Sequence, residues 1–254
     1  MNLIVLEPAD FVGPDRVRLH DRRLTHARKY LKVAVGDRLR VGLVDEPDDE
    51  PDEGQRGQGS SPAPKLGHGE VLRCDQDALE LRIELGTRPP PPSQLVLAVA
   101  LPRPPTLAKV LQQGTALGVK RFLLFHSRRV EKTYWQASAM AAAQIRRQLL
   151  LGLEQCVDTV VPRVELHPRF RPFVEDRLAV ARARGPVFVG HPSGELVGPR
   201  GIAGSATVVV GPEGGFVDFE RARFEALGDR FVSLGPRVLR VETAVVALLA
   251  RLGP

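Results

Sequence analysis

The chain has 254 residues, 43% of them hydrophobic, which is enough to bury one or two hydrophobic cores. Its two cysteines, Cys74 and Cys156, lie far apart in the sequence, so we expect no disulfide framework and favour a reducing compartment. Its six histidines form no HxxxH pair, so we expect no metal site. The formal net charge of +6 favours a polyanionic partner. Signal-peptide patterns and runs of roughly 20 apolar residues are missing, so we expect a soluble, cytoplasmic protein that makes no membrane contact.

The first 87 residues are predicted to form a small β domain. Apolar and polar residues alternate at 38–44, 69–72 and 79–85, as they do in half-buried antiparallel strands. A short helix is predicted over 26–33, with Thr25 as its N-cap.

Two segments of biased composition follow. Residues 45–66 combine dense acidic charge and prolines with Gly, Ser and Gln, which predicts an acidic, flexible insertion. Residues 88–94 contain a run of prolines and are predicted to form a stiff linker. This linker separates the predicted domains at 1–87 and 95–254.

Beyond the linker, strands and helices alternate, which predicts an α/β fold with a parallel sheet. The predicted strands are 95–101, 120–125, 159–164, 186–190, 206–210 and 230–234, and the predicted helices are 106–118, 134–155, 172–184, 218–227 and 240–252. Because parallel sheets place ligands at the carboxyl ends of their strands, we expect the site in the loops that follow them.

Three glycine- and proline-bearing loops follow predicted strands, at 190–194, 211–216 and 234–240. Glycine lets the backbone approach a ligand closely, although a Gly-Pro turn on its own is also a common structural feature. The loops contain no GxGxxG, GxxxxGK[ST] or GxSxG motif, which argues against a dinucleotide site, a P-loop and a serine hydrolase.

A basic stretch lies in the same half of the chain. Between Arg103 and Arg147 there are nine Lys or Arg residues and a single acid, Glu131. The stretch is either a solvated helical face or a surface that contacts nucleic-acid phosphates.

The segments 210–216 (Val-Gly-Pro-Glu-Gly-Gly-Phe) and 234–244 (Leu-Gly-Pro-Arg-Val-Leu-Arg-Val-Glu-Thr-Ala) together resemble the signature of the RsmE family. These are the 16S ribosomal RNA uridine-N3 methyltransferases of the SPOUT superfamily. The resemblance extends through Gly114–Val119, Glu154–Cys156 and, in the N-terminal domain, His26, Leu31 and Gly36-Asp37.

The resemblance implies a SPOUT α/β domain with a deep trefoil knot at 95–254, preceded by a small PUA-like, RNA-binding β-barrel. It also implies S-adenosylmethionine as cofactor, 16S rRNA or the assembled small ribosomal subunit as partner, and a homodimer. The residues implied to bind the cofactor are Gly190, His191, Pro192, Gly211, Pro212, Gly214, Gly215, Leu234, Gly235 and Leu239.

Two residues are candidates for catalysis. Arg240, expected at a helix N-terminus, would stabilise negative charge on the uracil edge or on a phosphate; the alternative is a salt bridge with Glu242 or Glu213. Glu213 would accept the N3 proton or contact the cofactor, or it would only stabilise its turn.

Other basic residues are candidates for RNA contact. They are Arg22, Arg23, Arg28 and Lys32 of the N-terminal domain, together with Arg128, Arg129 and Arg237. Two alternative functions stay open: a non-catalytic RNA-binding or ribosome-assembly protein of the same fold, and a knotted methyltransferase that acts on another RNA site. The segment 113–119, which lacks a lysine and a glutamate usual in the family, bears on that choice.

Overall fold

A computed structural model describes residues 2–46, 65–196 and 199–253, so most of the predicted acidic insertion lies outside the described residues. The chain divides into two compact units. The first unit comprises Met1–Pro90 and Leu153–Val161, and the second comprises Pro91–Gly152 and Pro162–Pro254. The division between Pro90 and Pro91 falls inside residues 88–94, and the segment Leu153–Val161 belongs to the first unit.

The first unit is built on a five-stranded sheet in the order β1-β3-β4-β5-β2. Strands β1 and β3 are parallel and the other pairs are antiparallel. The inward side chains, among them Val17, Val41 and Leu81, form one buried cluster, as alternation in the sequence predicted. The strands are β1 (Ile4–Leu6), β2 (Arg16–Leu19), β3 (Arg38–Leu43), β4 (Leu66–Cys74) and β5 (Leu79–Thr87).

The predicted helix of this unit begins earlier than expected. Helix α1 spans Arg22–His26 and continues as a π-helical turn over Ala27–Leu31. Asp21, not Thr25, is its N-cap, because the Asp21 carboxylate accepts a hydrogen bond of 2.8 Å from the backbone N–H of Arg23. Thr25 was therefore the wrong cap: it lies inside the helix.

The second unit contains a six-stranded sheet in the order β11-β9-β10-β6-β7-β8, with every pair parallel. Strands such as β6 and β10 are nearly continuous apolar runs because helices cover both faces of a sheet of this kind. The predicted parallel α/β sheet is confirmed. Its strands are β6 (Leu95–Ala100), β7 (Arg121–Phe125), β8 (Arg163–His167), β9 (Val187–Leu196), β10 (Ala206–Val210) and β11 (Arg230–Ser233).

The helices of this unit follow the predicted order with shifted ends. They are α2 (Pro104–Ala116), α3 (Ala142–Cys156), α4 (Phe170–Pro172), α5 (Leu178–Arg184), α6 (Asp218–Ala226) and α7 (Val241–Leu252). The last four residues of α3 fall in the first unit, and a π-helical segment, Phe173–Arg177, joins α4 to α5. Helix α3 begins later than predicted because Ala137 and Ala141 are both extended and separate short 3-10 turns before it. No helix in the described ranges is long and apolar enough to cross a membrane.

Candidate active site

Strands β11, β9 and β10 are neighbours in the sheet, so the three segments at their carboxyl ends meet. They surround one cavity of about 340 Å³. All of the residues predicted to bind the cofactor line this cavity: Gly190, His191, Pro192, Gly211, Pro212, Gly214, Gly215, Leu234, Gly235 and Leu239. The structure thus brings together three segments that are separated by about 20 residues in the sequence.

The first of these segments is not the free loop that the sequence predicted. Strand β9 runs on to Leu196, and its pairing with β11 shifts: Phe231 pairs with Val189, but the next residue, Val232, pairs with Glu195. The intervening residues of β9 therefore have no partner in β11. Such an irregularity turns backbone groups away from the ladder, and here Gly190 to Pro192 line the cavity.

Two glycines are required by the geometry of the cavity wall. A Cβ at Gly190 would lie 2.7 Å from Cδ1 of Leu248, so only glycine allows helix α7 to approach β9 this closely. Gly235 has a φ of +108°, which side chains other than glycine rarely adopt. A cavity wall of bare backbone beside apolar side chains such as Val210 and Val232 fits a flat nucleoside, which needs apolar contact and a few backbone hydrogen bonds.

Ser233, which the sequence analysis missed, connects two of the three segments. Its hydroxyl donates to the carbonyl oxygen of Pro192 at 3.3 Å and accepts from the N–H of Gly235 at 3.2 Å. Ser233 is buried. The sequence feature that could have identified Ser233 is a small hydroxyl residue at the end of a strand, directly before the Leu-Gly-Pro turn.

Of the two residues predicted to be catalytic, only Glu213 lines the cavity. Its carboxylate accepts from the backbone N–H of Arg103 at 3.3 Å. Arg240 is the exposed N-cap of α7, as expected, but it is not among the residues that line the cavity. Neither predicted salt bridge of Arg240 forms in the described part of the chain, because Glu242 pairs with Lys109 at 3.2 Å and Glu213 faces Arg103.

His191 is the titratable histidine of the cavity. Burial is the main cause that lowers the pKa of His191, and the positive charge of Arg221 lowers it further. Its ring meets that of Phe231 edge to face, with 5.8 Å between centroids. The lowered pKa favours the neutral imidazole of His191 at pH 7, which has one donor and one acceptor nitrogen.

The candidate RNA-binding residues have different surroundings in the first unit. Arg28 and Lys32 are exposed. Arg22 binds the carboxylate of Glu154 through two nitrogens, at 2.8 and 2.5 Å. Arg23 corrects the prediction: it is buried, and its guanidinium donates to the Val5 carbonyl and to carboxylates of the same unit. Arg23 stabilises the fold instead of contacting RNA.

The candidates in the second unit lie near the cavity or on exposed loops. Arg237 lines the cavity, and Arg128 is exposed. Arg129 lines the cavity as well, and its guanidinium donates a hydrogen bond to the carbonyl oxygen of Gly214. The sequence singled out Arg129 for RNA contact but did not place it in the wall of the pocket. In the described ranges, no group of three His, Cys, Asp or Glu side chains is placed to hold a metal ion.

The sequence of this chain is similar to those of known RNA methyltransferases. Residues 89–253 match the model of a family described as RNA methyltransferase domain. The Ribosomal RNA small subunit methyltransferase E of Treponema pallidum (strain Nichols) is 24% identical over 255 residues, which cover 98% of this chain and 90% of that protein. The protein of the same name from Bacillus subtilis (strain 168) is 26% identical over 211 residues, covering 71% of this chain and 80% of that protein.

A solved structure shares the fold. The Ribosomal RNA small subunit methyltransferase E from Neisseria gonorrhoeae, crystallised with bound S-adenosyl methionine, is 19% identical in sequence. The match covers 98% of this chain and 96% of that chain, with a TM-score of 0.68.

Proposed function

Because the chain belongs to the family of RNA methyltransferase domains, we propose that it methylates N3 of a uridine in 16S ribosomal RNA, with S-adenosylmethionine as the methyl donor. The observation that carries this proposal is the convergence of three glycine-bearing segments on one cavity. The names of the relatives from Treponema pallidum and Bacillus subtilis support the small-subunit RNA as substrate. The motif resemblance supports N3 of uridine.

The cofactor would be held mainly by backbone atoms of Gly190, Gly211, Gly215, Leu234 and Leu239, with Gly235 shaping the third segment. When bound, S-adenosylmethionine supplies a methyl group on a positively charged sulfur. His191, Pro192, Pro212 and Gly214 would complete the wall. Because Pro192 and Gly235 are both hydrogen-bonded to Ser233, little conformational entropy would be lost on binding.

The protein's own contribution to the chemistry is orientation and charge. Holding the acceptor nitrogen beside the methyl group and excluding water supplies several kcal/mol through proximity. Uridine N3 must also lose its proton, and we assign the Glu213 carboxylate on the cavity wall as the acceptor of that proton. Arg240 at the N-terminus of α7 would bind a phosphate or the uracil edge, where the helix dipole adds positive potential.

The RNA would extend beyond the cavity. We propose that Arg28 and Lys32 of the first unit and Arg128 and Arg237 of the second contact its phosphates, since all four are exposed. Residues 1–87 would form a PUA-like barrel and 95–254 the methyltransferase domain. The mixed five-stranded sheet supports the first of these assignments.

We also propose a trefoil knot and a homodimer. For the knot, support comes from the backbone N–H groups of Gly201 and Ile202, which donate to carbonyls of Arg251 and Leu252 at the end of α7. For the dimer, support comes from Val238 beside the cavity, whose apolar side chain is 86% exposed and would be covered by a second copy.

Three measurements test the proposal. Calorimetry on the full chain should show binding of S-adenosylmethionine. Small ribosomal subunits from a strain that lacks this gene should accept a tritiated methyl group, whereas subunits from the parent strain, already methylated, should not. Mass spectrometry should then locate the label on N3 of one uridine. A label on a ribose or on another base of the subunit RNA, or absence of both binding and transfer, would overturn the proposal.

A further inference from the structure

A buried carboxylate in helix α6 holds two loops beside the cavity. Glu220 is 2% exposed. Its carboxylate accepts hydrogen bonds from the backbone N–H of Arg128 at 2.7 Å, from the backbone N–H of Val217 at 3.0 Å and from the Ser127 hydroxyl at 3.3 Å. One carboxyl group therefore ties the loop after β7 to the loop after β10, whose earlier residues line the cavity.

The residue next to this connection, Arg129, enters the cavity wall. Its guanidinium donates to the carbonyl oxygen of Gly214. Its Cδ would lie 3.0 Å from a Cβ at Gly214, so the absence of a side chain there makes room for the arginine stem. One donor of the guanidinium is used in this contact, and its other donors have no partner among the described residues.

Arg129 differs in this respect from the other arginines near the cavity. Neither Arg237 nor Arg240 makes a side-chain hydrogen bond or ion pair within the ranges that the structure describes. A cation that is already oriented needs no reorganisation when charge develops, whereas a free side chain must first be ordered. Arg129 is therefore the cation best placed to act on a group inside the cavity.

We propose that Arg129 is a catalytic residue that binds a carbonyl oxygen of the acceptor base, and that Glu220 is the residue that positions it; this inference rests on the proposed function. The N3 proton passes to Glu213, the N3 electron pair forms the bond to the methyl carbon, and the electron pair of the broken carbon–sulfur bond stays on sulfur. In the transition state, the negative charge that N3 gains on losing its proton spreads onto the flanking carbonyl oxygens. The Arg129 guanidinium stabilises it there.

The test uses the full chain and small subunits reconstituted from RNA that contains either uridine or 5-fluorouridine. The fluorine makes the N3 proton more acidic, so the acceptor needs less help from a cation. The variants are Arg129→Gln, Arg129→Lys, Glu220→Gln and the double variant Arg129→Gln/Glu220→Gln. Arg169→Gln and Asp218→Asn change charge equally at exposed positions of the second unit that do not line the cavity.

Arg129→Gln should lower kcat on uridine about 100-fold, as expected for the loss of one donor to a developing anion. Its Kd for S-adenosylmethionine should stay within about threefold, a change below 1 kcal/mol. On 5-fluorouridine the loss should shrink by roughly tenfold, because less negative charge needs stabilising. Arg129→Lys should recover part of the activity, and both control variants should match the unmodified chain.

Glu220→Gln should lower kcat in the same direction, because an amide NH₂ cannot accept from a backbone N–H. If Glu220 acts through Arg129, the double variant should be no slower than Arg129→Gln alone. Additive losses would overturn the positioning role of Glu220. If Glu220→Gln fails to fold, Glu220→Asp replaces it in the same comparison.

The role of Arg129 is overturned by an unchanged kcat, by equal losses on both substrates, or by a loss of cofactor affinity that matches the loss of activity. These outcomes differ from failure of the proposed function, in which the unmodified chain itself neither binds S-adenosylmethionine nor methylates the subunit.

Discussion

Replacing Gly190 by alanine tests how closely helix α7 is packed against the cavity wall. The new Cβ would lie 2.7 Å from Cδ1 of Leu248, which is 0.7 Å closer than ordinary contact at 3.4 Å. Leu248 is only 1% exposed, so its side chain has no free space to enter except the cavity. We expect Gly190→Ala to lower the free energy of unfolding by about 1–3 kcal/mol, as overpacking does. Affinity for S-adenosylmethionine should fall roughly tenfold, about 1.4 kcal/mol.

Urea denaturation and calorimetry measure the two effects. Shortening the opposing side chain with Leu248→Val should cost about 1 kcal/mol alone but should relieve the clash in the double variant, so the two losses should not add. Gly86→Ala is the matched control, since a Cβ there meets no atom within 4 Å, and it should change stability by less than about 0.5 kcal/mol. Equal stability of Gly190→Ala and the unmodified chain, or fully additive losses, would refute the packing argument.

Three further predictions concern the turn, the pH dependence and the first unit. Gly235→Ala places a side chain at a φ of +108° and should cost about 1–3 kcal/mol, with a matching loss of cofactor affinity in calorimetry. Burial alone would raise the pKa of Glu165, but contacts with His167 and Arg177 and the charge of Arg121 outweigh it and lower the pKa to about 2 from an ordinary 4.5. Since the folded state holds this carboxylate ionised, its stabilisation is complete above pH 4.5 and is lost as the pH falls toward 2. Glu165→Gln should therefore destabilise the chain by up to about 3 kcal/mol at pH 7 and by almost nothing near pH 2 in urea titrations. Arg23→Met leaves Asp10 without its buried partner and should cost about 3–5 kcal/mol, whereas Arg28→Gln should be nearly neutral; equal effects would contradict the assignment of Arg23 to the core.

The order and type of the elements in the second unit could be predicted because its strands are short apolar runs between helical segments. Strands β6, β7, β10 and β11 lie within one or two residues of their predicted ends. The hydrophobic pattern of the sequence was less informative about the first residue of a helix, because that residue depends on a single hydrogen bond. The cap of α1 is set by the hydrogen bond between Asp21 and Arg23, and nothing in the hydrophobic pattern distinguishes Asp21 from Thr25.

Those parts of the candidate site that consist of short motifs of consecutive residues could be predicted from the sequence. The two Gly-Pro segments and Gly190 to Pro192 each lie directly after a strand or within it, and the general rule for parallel sheets placed all three at one edge. The family resemblance that these motifs carry is confirmed by the match over residues 89–253. The extended course of β9 through Leu196 was not predictable, because it depends on how β9 pairs with β11.

By itself, then, the sequence determined the class of fold, the family and the backbone segments of the pocket, because hydrophobic periodicity and glycine motifs are properties of neighbouring residues. Only the tertiary structure decided which charged side chains serve the pocket and which serve the core. Arg23 and Arg28 are both arginines of one helical segment, yet burial assigns the first to the fold and leaves the second exposed. The carboxylate of Glu220 reaches the loop before Arg129 across 92 residues, and such a contact exists only after the chain has folded.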